Sequence, residues 1–255
     1  MNANDIYLND FATRSFRDIA DQDYIMARAA YRTTLYPQFL WSGLQAIEKY
    51  LKAILLYNRI PQPKGKESLR HDLARALELT KQARFEMSLS ATSMQIIEHL
   101  DTYGRFRYLE SSYHLDGQEL LMLDRAVWEV RLYCRVLDHT ITTGAGEVID
   151  MLPKYLKTIE LELHKPARRF LIPGGVLEKI LAKRDHPARP SLVWKNLLFN
   201  QHHRKSLQWR HRRHLVNSPL ALRPELLDEV NKYVWLPGEA IKAYREEIEA
   251  RRSDR

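Results

Sequence analysis

One cysteine, Cys134, is all the chain contains, which excludes an intramolecular disulfide and any cysteine-rich zinc site. Cys134 falls at an apolar position of a helical pattern, where a small buried thiol is the plain reading. Long apolar runs are also missing. None approaches the roughly 18–20 residues a membrane span needs, so no membrane partner is expected. The opening residues, Met1-Asn-Ala-Asn-Asp5, show no basic stretch followed by an apolar one, so no secretory signal is expected and a reducing cytoplasm is the simplest setting. There is no Gly-rich phosphate loop, no Gly-x-Ser-x-Gly elbow and no His-Glu-x-x-His, which argues against P-loop nucleotide hydrolysis and zinc proteolysis. No cofactor, internal repeat or low-complexity tract is indicated.

Acid is scarce in one place. Formal net charge is +8, yet residues 1–149 hold 18 Lys/Arg against 19 Asp/Glu, and residues 150–255 hold 22 against 13. Between Asp185 and Glu225 lie 39 residues with eight Lys/Arg and no carboxylate. A localised acid-free stretch points to a polyanionic partner more strongly than a diffuse excess does. Its centre, residues 201–214, holds five Arg/Lys and four histidines around Trp209. Arg204, Lys205, Arg210, Arg212 and Arg213 are of the type that neutralises phosphates, and Trp209 offers a stacking face for an unpaired base. The histidines lack carboxylate or thiol companions at a recognisable spacing, so no metal site is expected there. The other reading is a solvated or dimer-facing basic helix.

What is abundant is helical periodicity. A helix is expected over Asp18–Tyr36, ending at Pro37. Leu40, Leu44, Ile47, Leu51 and Ile54 form the clearest apolar stripe, stopping near Asn58. A third helix is expected from about Ser68 to Arg84, and a fourth opens at Thr92 with Gln95 as a capping box and stops at Gly104. Residues 105–115 have no period. Asp116 with Glu119 then starts a fifth, whose stripe runs from Leu120 to Ile141. Long helices with short connections predict an all-α, antiparallel bundle over residues 1–141, with no strand in that half. Thr142-Thr-Gly-Ala-Gly146 is the expected boundary to a smaller, mostly helical basic region, residues 147–255. Its expected helices are near Leu152–Leu163, Val176–Lys183, Pro224–Trp235 and Pro237–Arg252.

Gln45-Ala-Ile-Glu-Lys-Tyr-Leu-Lys-Ala-Ile-Leu55, with Asp23-Tyr-Ile-Met-Ala-Arg28 before it and His71-Asp-Leu73 after it, resembles the HEPN superfamily. These are helical-bundle domains of prokaryotic defence, toxin–antitoxin and RNA-processing proteins. The resemblance continues through Arg107-Tyr108 and covers about residues 18–141. It implies a homodimer with two Arg–His sites facing across the interface. Many members are metal-independent ribonucleases carrying Arg, four to six residues, then His, before the last helix. Arg107 and His114 stand in that relation. An imidazole can take the proton of a ribose 2′-hydroxyl or return one to the leaving oxygen. A guanidinium can stabilise charge on the phosphorus oxygens. The product would be a 2′,3′-cyclic phosphate, and DNA cannot react by this route.

The spacing itself carries little weight. With 26 arginines and 10 histidines, chance supplies about three such pairs, and the sequence has two; the second is Arg204 with His211. Position within the resemblance singles out Arg107/His114. Tyr108 departs from the small polar or acidic residue usual in nucleases. It resembles the Arg-Tyr-Pro of a non-nucleolytic branch that binds nucleotides or partners nucleotidyltransferases. Three readings therefore stay open: a metal-independent endoribonuclease, a binding module for RNA, a nucleotide, a nucleotidyltransferase or an antitoxin, and a structural loop. Arg105, Tyr108, Glu110, Ser112 and Tyr113 are candidate supports for the site. His71, at the expected start of the third helix, is either a further support or a histidine bonded to a neighbouring helix.

Overall fold

The computed structural model describes residues 3–63, 65, 68–105, 109–164, 172–199 and 213–253. Helical structure begins earlier than the periodicity indicates. Helix α1 (Ala3–Phe11) passes through a π-helical stretch, Ala12–Arg17, into α2 (Asp18–Arg32). The helix expected to reach Tyr36 ends at Arg32, because Thr34 takes a left-handed conformation. Pro37 then lies in the first turn of α3 (Tyr36–Tyr57), where its missing N–H has no helical partner to lose. The central element is α3. It buries residues around most of its circumference, from Phe39 through Ile47 and Leu51 to Leu55.

Only the middle of the expected third helix forms. It is α4 (Leu73–Thr80), started by the Asp72 carboxylate, which accepts from the Arg75 N–H at 2.8 Å. Helix α5 (Ala91–Tyr103) is capped by Ser90, not by the Thr92/Gln95 box, and Gly104 closes it as expected. A Cβ on Gly104 would come within 2.9 Å of the Leu40 carbonyl oxygen, so the glycine lets α5 close down on α3.

Helix α6 (Glu119–Arg131) is shorter than its stripe. Half of the expected cap is present: the Glu119 carboxylate accepts the N–H groups of Asp116 and Gly117. After Arg131 the chain tightens into turns, Tyr133 N–H to Val130 and Cys134 N–H to Arg131. Cys134 and Leu137 remain buried there. The stripe reported burial, not continued helix.

Two short antiparallel ladders correct the expectation of no strand in the first half. Strand β1 (Tyr113–Leu115) pairs with β4 (His214–Val216), setting His114 opposite Leu215. Strands β2 (Thr140–Thr142) and β3 (Val148–Asp150) form a hairpin. Its tip holds the Thr142–Gly146 segment, with Gly146 at φ +83°.

Beyond it come α7 (Leu152–His164), α8 (Val176–Ala182) and α9 (Arg189–Val193). After β4 follow α10 (Pro219–Leu222), a 3₁₀ turn (Pro224–Leu226), α11 (Leu227–Val230) and α12 (Gly238–Ser253). The helix expected over Pro224–Trp235 is thus a 3₁₀ turn and a single α turn. Among the described residues the chain is all-α apart from the two ladders.

Leu152, Ile159, Leu177, Ile180, Leu192 and Phe199 join the same apolar core as α2, α3, α5 and α6. Buried ions join them too. The Arg28 guanidinium pairs with Asp124 and donates to the carbonyls of Ser191 and Trp194. Arg131 grips Asp21 at 2.7 Å and 2.8 Å and Glu178 at 2.7 Å. A second, small cluster holds Leu220, Leu227, Leu236, Ala240 and Tyr244.

Candidate functional site

The segment between α5 and α6 carries the expected site. Arg107 and Tyr108 lie outside the described residues, as do Arg204, Lys205, Trp209, Arg210 and Arg212. The backbone around them is demanding. Leu109 (φ 59°), which follows Tyr108, is left-handed without being glycine, costing about 1 kcal/mol or more.

His114 sits on β1. Strand alternation turns Tyr113 and Leu115 inward and leaves His114 exposed. Its ring is not isolated. His99 of α5 stands perpendicular to it, centroids 5.4 Å apart at 89°, and Tyr103 lies 5.3 Å away at 79°. His99 and Tyr103 are one helical turn apart, with centroids at 4.8 Å. Burial, with His114 adding to it and Asp116 opposing, pushes the His99 pKa down to about 4. His99 Nε2 is buried and has no hydrogen-bond partner.

The other expected residues are placed around this strand with different roles. Arg105 pairs with Asp101 at 2.9 Å, its Nε buried and unpaired. Asp101 also accepts the Leu73 N–H at 2.8 Å, tying the end of α5 to the start of α4. His71 lies two residues before Leu73, but it turns to α3. Its Nδ1 meets Glu48 at 2.8 Å, and its ring packs on Trp41 at 5.0 Å. Burial works against the Glu48 charge, yet hydrogen bonds from His71 and Lys52 hold its pKa below the ordinary value. This favours the helix-anchoring reading of His71. Ser112 accepts the Ser218 N–H at 3.0 Å, and the Glu110 carbonyl accepts the Tyr244 hydroxyl at 2.7 Å. Both fasten the loop to the C-terminal helices. Burial raises the Tyr113 pKa, with Tyr36 adding to it. The Tyr113 hydroxyl therefore keeps its proton at neutral pH.

The ladder brings together two stretches that the sequence keeps about a hundred residues apart. Strand β4 begins where the basic centre of the acid-free stretch, residues 201–214, ends, so that segment terminates against the strand bearing His114. Arg213 pairs with Asp116 at 3.4 Å, both exposed. Tyr36 Oη meets His214 Nε2 at 3.1 Å with the rings at 4.7 Å. At the other end of the segment Phe199 is buried against Tyr24 (5.6 Å) and Trp128 (5.4 Å). The basic stretch is fastened to the bundle on both sides.

Sequence reading missed His99, Tyr103, Tyr36 and the pin at His214. The first two share a face by their spacing of four, but nothing local marks that face as adjoining His114. Among the described residues, no group of three or more His, Cys, Asp or Glu side chains gathers as a metal site. No described helix is long and apolar enough to cross a membrane.

Compared with known proteins, residues 13–132 match the family model of the HEPN domain. No curated protein and no solved structure matches the chain. The matched span runs from the π-helical stretch to the end of α6 and encloses Arg107, His114, His99 and Tyr103. Over residues 13–132, therefore, the chain is similar to the HEPN domain, a helical module of the nucleotide- and RNA-associated kind.

Proposed function

We propose that this protein binds RNA and cleaves it without a metal ion, with Arg107 stabilising the transition state and His114 as the general acid/base. The observation that carries this reading is the β1–β4 ladder, which ends the basic segment beside an exposed histidine. Phosphates held by Arg204, Lys205, Arg210, Arg212 and Arg213, with a base stacked on Trp209, bring the adjoining ribose to β1. The cleft between the loop and α12 is lined by Glu110, Glu239 and Glu247. Those carboxylates repel phosphate and direct a strand toward β1.

The 2′-hydroxyl gives up its proton as its oxygen attacks phosphorus, the bond to the 5′-oxygen breaks and that oxygen takes up a proton; His114 serves one of these transfers and water the other. The ends left are a 2′,3′-cyclic phosphate and a 5′-hydroxyl. The assembly proposed is a homodimer in the cytoplasm, in a defence or toxin–antitoxin setting, with Arg–His sites facing across the interface. The division into a bundle, residues 1–141, and a basic region, residues 147–255, is proposed as one of roles, since Leu152, Ile159, Leu177 and Phe199 share the core of the bundle.

Labelled RNA incubated with the protein in EDTA tests the reading. Cleavage is expected to persist, and His114→Ala is expected to lower it by about 10²–10⁴-fold. Equal cleavage by the variant, or none by the wild type, sinks it. Tyr108 favours a second reading, a binding module without cleavage that docks a nucleotidyltransferase or an antitoxin. RNA binding with no cleavage of any substrate, or co-purification with such a partner, supports that one.

A further inference from the structure

His99 is an expensive residue where it stands. A buried ring nitrogen without a partner forfeits about 1–3 kcal/mol, and a leucine or phenylalanine would fill the same space at no such cost. Its side chain is neutral at working pH, because an imidazolium there would bury a charged N–H that nothing accepts. The groups bearing on it are His114 from β1, Tyr103 from its own helix and Asp116 from the turn after β1, itself opposed by Arg213. With its proton on Nδ1, a neutral imidazole presents Nε2 as a hydrogen-bond acceptor awaiting a donor. Of the rings packed against it, that of His114 carries a polar N–H and is exposed enough to turn.

We propose that His99 is a positioning residue for His114: its open Nε2 receives the His114 N–H when the site is engaged, fixing the tautomer and aim of that imidazole. This is the part an orienting group plays behind a catalytic base, supplied here by a second histidine whose burial keeps it uncharged. A neutral orienter suits a site that holds a polyanion, since an orienting carboxylate would repel the phosphates. The kinetic consequence rests on the cleavage reading above; the structural consequence does not.

Three variants test it: His99→Phe keeps the ring and removes the nitrogen, His99→Gln returns an acceptor, and Tyr103→Phe removes the other hydroxyl nearby. With RNA bound, nitrogen-15 NMR of the histidines is expected to show one His114 tautomer in the wild type, a mixture in His99→Phe and a return toward one in His99→Gln. The rate constant for cleavage falls on the order of 10–100-fold in His99→Phe, is partly recovered in His99→Gln, and RNA affinity does not change. Tyr103→Phe keeps the single His114 tautomer. Thermal stability rises in His99→Phe, which a purely structural histidine would not allow.

Mixed His114 tautomers in the wild type overturn the proposal. So does a His99→Phe variant that unfolds or loses stability, or one whose His114 is unchanged. A wild type that cleaves nothing defeats the cleavage reading alone, because the tautomer and stability measurements still decide the role of His99.

Discussion

Arg28 has no exposed surface, and its guanidinium reaches Asp124 and the carbonyls of Ser191 and Trp194 at once. Its partner is equally enclosed: the Asp124 carboxylate is buried and also accepts the Tyr24 hydroxyl at 2.6 Å, its pKa raised by that burial even with Arg28 beside it. Removing one member of a buried pair leaves an uncompensated charge, at a cost of about 3–5 kcal/mol. Arg28→Met is expected to lower the unfolding free energy by that amount in denaturant titrations. Adding Asp124→Leu should recover most of it, and a double variant as unstable as the single one would refute the pairing argument.

His99 makes the second residue-scale prediction. Its folded pKa, about 4, lies below the ordinary value of 6.5, so the unfolded chain binds the proton more readily. It therefore costs the fold nothing by protonation above pH 6.5, and a destabilising penalty builds as pH falls toward 4. After allowance for partial solvent screening this amounts to about 1–2 kcal/mol. Unfolding followed at several pH values should show a decline that is shallower in His99→Phe over the same window.

At the level of elements, the periodicity of the bundle was legible and its ends were not. The α3 stripe was read within a few residues because both ends carry strong signals, Pro37 before it and Arg59-Ile-Pro-Gln-Pro after it. The α6 stripe ran on to Ile141 because nothing marks the stop at Arg131. Tight turns bury Cys134 and Leu137 as well as a helix would, while Ile141 is 42% exposed. Helix α1 went unread because it has no buried face. The three-residue strands are too short to show a pattern, and β1 meets β4 only through folding. Gly104 governs how closely α5 lies on α3. Gly104→Ala forces a Cβ against the Leu40 and Leu100 carbonyls, at a cost of about 1–3 kcal/mol. Since Tyr103 and Arg105 flank it, RNA cleavage should fall with stability; a fully stable variant would show that the approach is not tight.

On the scale of the whole molecule, the candidate site was half legible. Composition exposed the acid-free stretch and the resemblance marked Arg107 and His114, but their adjacency depends on a ladder between distant residues. That adjacency has an ionic signature. RNA affinity is expected to fall steeply with added salt, and Arg213→Ala should reduce the slope by about one unit if that side chain meets a phosphate. Filter binding over a range of salt measures it, and a flat response in the wild type would remove RNA from the account.

The two fastenings of the basic segment have a further consequence. Phe199 before it and His214 after it are held by the bundle, so the two ends of the segment are brought together once, by folding, and not each time a ligand arrives. Such a stretch behaves as an interchangeable cassette. Its sequence can drift, and its choice of ligand with it, while the anchors and the histidine they serve stay where they are.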